Sequence, residues 1–417
     1  MTETPAVEGA VPAEGRQQQV PLRVWGLLAA CFLLSAGFIA TVILPASVLP
    51  LVGATFDVET GAVSASISAV FLTWALLQIP GGLVLDRGDN RRLVALGALG
   101  FVVVTPLGLL TDSYAVFLAS RLVGGACAVF MFVGSIAILS HVVPAHRRGL
   151  ALSIFIASPP FGIALAQFTG PLIAAAVGWR TAALTYVGLA GLGGVGIVVL
   201  RRAPVVAGGT LRLREFGATL RSPAVLLVSI ASMCTYVVWT FLVTWMPTYG
   251  TEVLGLDLAA AGAVTALVPL AGIVARPGGG WLSDALGGRL LPVFAISFLA
   301  TIALVLVIGR AASPLAFALS LALAGAAVNL CVGLYLVFID RLAPAATRGT
   351  SLSVLLTFSQ VGNLIAPVVG GWLITTYSWT AGFGFAAGLA ASGLGTILVV
   401  TVLHGSPATT SPPAERA

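Results

Sequence analysis

Two arginines stand inside apolar stretches of this chain. Arg276 lies in the run 259–283 and Arg121 in the run 114–143. A charge near the centre of a bilayer costs at least about 2.5–3.5 kcal/mol, so one kept there points to function. The guanidinium is a rigid fork of donors that fits a carboxylate or similar oxyanion bidentately. No carboxylate falls in the middle of an apolar run. Asp57, Glu59, Asp112, Glu252 and Asp257 lie at one set of run ends, and Asp86, Asp89, Glu215, Asp284 and Asp340 at the other. The other four acids are near the termini. Asp284 follows Arg276 by two turns, about 12 Å along a helix at 1.5 Å per residue. An unpaired Arg276 therefore suits an anion that arrives with the solute. The plainer alternative is an arginine that bonds helix carbonyls or reaches back to the interface.

Other polar side chains share these runs. Gln78 lies in 62–85, and Tyr236, Trp239 and Thr240 fall close to one face of 223–249. Asn329 lies in 314–339, and Gln360 and Asn363 are three apart in 347–375. Each suits a solute route, and each equally suits a hydrogen bond between membrane helices. No metal-ligand spacing, nucleotide loop or nucleophile motif appears, so neither an enzyme, a metal site nor a cofactor is expected. Cys31, Cys127, Cys234 and Cys331 all sit in apolar runs and read as small packing residues.

Charge otherwise gathers in short stretches between runs. Gly82-Leu-Val-Leu-Asp86-Arg87 leads into Arg91 and Arg92, and Gly280-Trp-Leu-Ser-Asp284 leads into Gly287 and Arg289. Both read Gly-x-x-x-Asp followed by a turn with Gly and Arg, about half a chain apart.

The elements that must carry these residues are membrane helices. The chain is 59% hydrophobic and 8% charged, with a mean hydropathy of +1.08, whereas soluble domains carry roughly 25% charge. About twelve runs reach the roughly 20 apolar residues that span a bilayer. They lie near 24–52, 62–85, 92–111, 114–143, 148–176, 180–200, 223–249, 259–283, 290–309, 314–339, 347–375 and 380–403. Pro45 and Pro50 predict a kink in the first run, and Pro159-Pro160 a break in the fifth. Residues 1–23 lack the basic start of a signal peptide and read as a disordered tail. Segment 201–222 is the long polar connection, either a tether or a short surface helix with Leu213, Phe216 and Leu220 on one side. Residues 404–417 form a second tail.

Arginine sets the expected orientation. With the N-terminus inside, 16 of the 20 arginines fall on internal segments, leaving Arg121, Arg180, Arg276 and Arg310. The positive-inside rule then places both termini in the cytoplasm, at the cell's inner (plasma) membrane. The net charge of +6 is thus a topology signal, and no nucleic-acid partner is implied.

The chain also repeats itself. Pro144-Ala-His-Arg-Arg-Gly-Leu-Ala-Leu-Ser153 matches Pro344-Ala-Ala-Thr-Arg-Gly-Thr-Ser-Leu-Ser353 at an offset of 200. The same offset pairs Gly125 with Gly325, Gly162 with Gly362, Gly170 with Gly370, and Trp179 with Trp379. Asp57 and Asp257 pair as well, each where an N-cap would open the next run. Two six-helix halves, 24–200 and 223–403, follow.

These features resemble the major facilitator superfamily, whose loop motif reads Gly-x-x-x-Asp-Arg-x-Gly-Arg-Arg. Gly82, Asp86, Arg87, Arg91 and Arg92 supply the first copy here, with Asp89 and Asn90 standing in place of Gly and Arg. Gly280, Asp284 and Arg289 supply the second, with Ala285 in place of the first Arg. The resemblance implies an all-α integral membrane protein of twelve helices in two pseudo-symmetric bundles. It implies a monomer that moves a small solute, alone or with an ion, by alternating access. It also implies that Asp86 approaches Ala346–Gly349 and that Asp284 approaches Arg147, holding the cytoplasmic side closed. Arg276-Pro-Gly-Gly-Gly-Trp-Leu-Ser-Asp284 is similar to nitrate/nitrite porters and other anion carriers, which carry a second arginine at the matching place in helix 2. Counting from Asp86 and Asp284 puts Gln78 there, while counting from Asp57 and Asp257 puts Leu76 there. Arg121 resembles an arginine found in helix 4 across the superfamily, proton antiporters included. An organic or inorganic anion is the expected solute. Proton-coupled efflux of a drug or hydrophobic metabolite is the alternative.

Overall fold

The computed structural model describes residues 21–200, 217, 219–344 and 347–404. The readings of residues 1–20, of most of 201–222, of 405–417 and of Ala346 lie outside them. Among the described residues every regular element is helical, and twelve spans are long and apolar enough to cross a membrane. Nine of those spans are single helices. They are α1 (Leu22–Ser47), α3 (Thr60–Arg87), α4 (Asn90–Leu109), α5 (Tyr114–Val142), α8 (Trp179–Leu200), α9 (Pro223–Glu252), α12 (Leu290–Ile308), α15 (Arg348–Thr376) and α16 (Trp379–His404).

The first span ends at Ser47, and after Val48 the short helix α2 (Leu49–Phe56) follows, with Pro50 in its opening turn. The other three spans are interrupted. The fifth breaks at Ala157 between α6 (Ala145–Ile156) and α7 (Ser158–Val177), where Pro159 and Pro160 follow. Proline fits a first helical turn because its missing N–H has no partner to lose there. Two further breaks were not expected. The eighth span divides at Ala266 into α10 (Leu258–Thr265) and α11 (Leu267–Ala285). There Pro269 removes the bond that a continuous helix would make to Thr265. The tenth divides between α13 (Pro314–Asn329) and α14 (Leu334–Leu342).

The repeat is visible in the packing. A Cβ on Gly125 would strike the carbonyl of Val70, and one on Gly325 would strike that of Val268. Gly162 lies on the carbonyl of Ala36 and Gly362 on that of Met233. Phe117 groups with Phe56 and Trp179, as Phe317 and Trp379 group with Tyr249. Small residues thus set the close helix crossings of both halves in the same places.

One repeated position behaves differently. Asp257 caps α10 as expected, accepting from Ala260 N at 2.8 Å. Asp57 does not cap α3. It closes α2 in the left-handed region at φ 51°, and Glu59 precedes α3 instead. Aspartate tolerates that conformation better than most side chains, and the extra short helix α2 displaces the cap by two residues.

The halves join at the end away from the two loop motifs. Ser68 Oγ donates to Leu364 O at 2.8 Å, Gln167 Nε2 donates to Val243 O at 2.7 Å, and Gly262 packs on Gln167 and Pro171. At the motif end, α6 packs on α1, α5 and α7, and α14 on α9 and α15, each within its own half.

Candidate functional site

Span α9 is the spine of a polar cluster in the second half. Arg276, on α11, directs Nε to Asn329 Oδ1 at 3.0 Å. Asn329 is the last residue of α13, and its Nδ2 donates to Gly325 O at 2.8 Å. The assignment of oxygen and nitrogen on that amide is forced, because arginine nitrogens only donate. Gly272 has no Cβ to strike the Asn329 amide, and Gly279 lies on the carbonyl of Leu330. The glycines of the Arg-Pro-Gly-Gly-Gly stretch therefore serve close packing, at Gly279, as well as leaving room at Gly278 and Gly280, where a Cβ would meet nothing. The broken tenth span ends where Arg276 needs an acceptor.

The guanidinium of Arg276 stands 5.8 Å from the Trp239 ring, a cation–π distance. Its two Nη atoms have no protein partner, yet they are not sealed from space. No carboxylate pairs with it among the described residues. Tyr236, one turn before Thr240 on α9, backs onto Gly362 of α15. Thr240 Oγ1 donates to Asn363 Oδ1, and Asn363 Nδ2 donates to Gln360 Oε1 at 2.7 Å. Arg276, Asn329 and Trp239 thus meet directly, and Thr240, Asn363 and Gln360 form a chain beside them.

Two expected site residues belong to the other half. Gln78 is buried on α3, where its Oε1 accepts from Trp74 Nε1 at 3.0 Å. Arg121 is 3% exposed on α5. Its Nη1 donates to Thr41 O at 2.9 Å, and its Cζ lies 4.9 Å from the Phe117 ring. Nε and Nη2 of Arg121 are buried without a partner. Arg121 ties α5 to α1 and stands apart from the Arg276 cluster.

The loop residues sit at the motif end. Gly82, Asp86 and Arg87 close α3, and Asp89 accepts from Arg91 N at 3.1 Å to cap α4. Asp89 also pairs with Arg92 at 3.5 Å, and Arg91 Nη2 donates to Val198 O at 2.8 Å. Asp89, in place of the motif's glycine, therefore acts as a helix cap. Gly280, Asp284 and Arg289 surround the turn after α11, where Gly287 and Gly288 take positive φ. The expected approach of Asp284 to Arg147 is not seen: both side chains are exposed and no bond joins them.

Sequence reasoning missed Trp74, although it lies four residues before Gln78, where helical side chains meet. It also missed Tyr335, which bonds Thr235 at 2.7 Å beneath the break in the tenth span. Nothing in the sequence pairs two residues 100 apart.

A sequence model of the Major Facilitator Superfamily matches residues 27–363. The probable nitrate/nitrite transporter NarK2 of Mycobacterium tuberculosis is 28% identical over 73% of this chain and 78% of its own. The drug efflux pump JefA of the same species is 35% identical, over only 30% of this chain and 24% of its own. A solved transporter of the POT family, in complex with a thioalcohol-conjugated peptide, superposes with a TM-score of 0.77 at 15% identity, covering 92% of this chain and 96% of its own. With twelve spans, paired loop motifs and a duplicated packing pattern in agreement with these matches, the chain belongs to the Major Facilitator Superfamily of multi-pass membrane transporters.

Proposed function

We propose that this protein is a secondary active transporter of a small organic or inorganic anion, recognised by Arg276 and moved by alternating access. One observation carries the reading. Arg276 is anchored by Nε alone, and both Nη atoms are left open with no acid beside them. A cation kept unpaired in a membrane is costly, and an arriving oxyanion relieves that cost through the bidentate fork. The similarity to a nitrate/nitrite transporter agrees with an anion. Gln78 in place of a second arginine argues against nitrate as the native solute.

In this reading both termini and the loop motifs face the cytoplasm of the cell, at its plasma membrane. Residues 24–200 and 223–403 are the two moving halves, joined by 201–222, and the monomer is the working unit. The bonds of Ser68 to Leu364 and of Gln167 to Val243 then lie toward the outer face. Efflux of a drug draws support from the local match to a drug pump. Proton coupling has less, because every described carboxylate lies at a helix end or in a loop. The test is uptake and efflux in proteoliposomes with a panel of carboxylates and inorganic anions, with and without a pH gradient. Saturable anion flux that Arg276→Gln removes supports the proposal. Flux of neutral or cationic drugs alone, driven by the gradient, overturns it.

A further inference from the structure

Trp74 and Gln78 have no part in the Arg276 cluster, yet their geometry is as constrained. The Trp74 ring is held by three others: Phe38 at 5.7 Å edge-on, Phe132 at 5.8 Å edge-on, and Phe71 stacked at 6.2 Å. That fixes the direction of its N–H, which ends on Gln78 Oε1 at 3.0 Å. Indole nitrogen only donates, so the amide oxygen must face it and the NH2 must face away. That Nε2 has no protein acceptor, and it is not among the sealed, unpartnered atoms.

The direction it faces follows from the helix. At about 100° per residue, Gln78 lies about 80° from Ser68, which bonds α15 of the other half, and about 60° from Gly81, which packs on Val129 of α5. Its side chain leaves α3 between its own bundle and the opposite one. Gln78 also matches Arg276 at the offset of 198 that pairs Gly82 with Gly280 and Asp86 with Asp284. Counterparts in two halves related by rotation stand on opposite sides of the space between them.

We infer that Trp74 locks Gln78 as an uncharged donor arm opposite Arg276, and that this pairing makes the site select monovalent over divalent anions. The inference rests on the anion reading above. Arg276 brings one positive charge and a fork of donors. Gln78 brings two more N–H donors and no charge. A monovalent oxyanion finds its charge balanced and its spare lone pairs met. A divalent anion carries a second charge into a site with no second cation, where an uncompensated charge is heavily penalised. Trp74 acts through Gln78 and is a positioning residue.

The experiment is calorimetric binding of benzoate and acetate, against succinate and sulfate, to the purified full-length protein. The wild type is expected to favour the monovalent pair by at least about 10-fold, the scale of one hydrogen bond to a charged group. Trp74→Phe keeps an aromatic ring but removes the donor, freeing the amide to turn, and should weaken monovalent binding about 10-fold. Gln78→Arg supplies the missing cation and should move the monovalent-to-divalent ratio about 10-fold or more toward the divalent pair. If Trp74→Phe melts the aromatic cluster, Gln78→Met removes the arm without touching the indole and must show the same 10-fold loss. A ratio unmoved by Gln78→Arg, or monovalent binding unmoved by both Gln78→Met and a folded Trp74→Phe, overturns the inference while Arg276 keeps its role. Wild-type protein that binds none of the four, or Arg276→Gln that binds them normally, overturns the anion reading and this inference with it.

Discussion

Arg121 and Arg276 are the same residue in the same kind of apolar helix, one in each half, and they are held by opposite ends. Arg121 gives its tip to a backbone carbonyl and has Nε and Nη2 sealed in protein. Arg276 gives its inner nitrogen to Asn329 and keeps its tip open. Burial alone does not tell the two apart. The nitrogen that the protein consumes decides which end of the cation stays open. The repeat sharpens the contrast: Leu321 matches Arg121 at the offset of 200, and Arg276 matches Gln78 at 198 or Leu76 at 200, so neither half duplicates the other's charge.

The comparison breaks most severely at Asn329. Asn329→Asp places a carboxylate on Arg276 and should neutralise the site, lowering anion affinity about 100-fold by the value of a close buried ion pair. Asn329→Leu removes the acceptor but adds no charge, so the guanidinium is released rather than neutralised. About a 10-fold rise in KM is expected, with kcat less affected. Both are read in proteoliposome uptake. Arg121→Met tests the other side: it removes a sealed cation but leaves the Thr41 carbonyl, which Pro45 cannot bond, without a donor, at a cost of about 1–3 kcal/mol. Its expected signature is a shift in melting temperature with the anion preference retained, and loss of that preference would place Arg121 on the route. The smallest effects come from the repeated aspartates. Asp257→Ala should cost about 1 kcal/mol through its lost cap. Asp57→Gly should be neutral or stabilising by a few tenths of a kcal/mol, since glycine is at ease at positive φ. Thermal unfolding of the two variants side by side separates them.

Much of this fold was legible because the membrane leaves few choices. Apolar length gave the twelve spans, and the offset of 200 gave the duplicated crossings at Gly125 and Gly325. Prolines at 45–50 announced the break after α1, and those at 159–160 one of the three broken spans. The breaks at Ala266 and after Asn329 were not announced: Pro269 acts one turn beyond the break it causes, and no proline marks the tenth span. Of the candidate site residues, Arg276, Asn329 and Trp239 do meet. What the sequence hid was direction. Nothing in it says that Asn329 takes Nε rather than the tip, that Arg121 spends its tip on Thr41, or that Trp74 turns the Gln78 amide. Asp57 was misread because the short helix α2 used the residue first.

The most direct measurement of the central claim is anion uptake by wild type, Arg276→Lys and Arg276→Gln in proteoliposomes, at matched membrane insertion and matched melting temperature. Poor uptake is expected of Arg276→Lys, which keeps the charge but loses the planar fork. No anion-dependent uptake at all is expected of Arg276→Gln. If both variants are folded, inserted and as fast as wild type, Arg276 is a structural residue and the solute is recognised elsewhere.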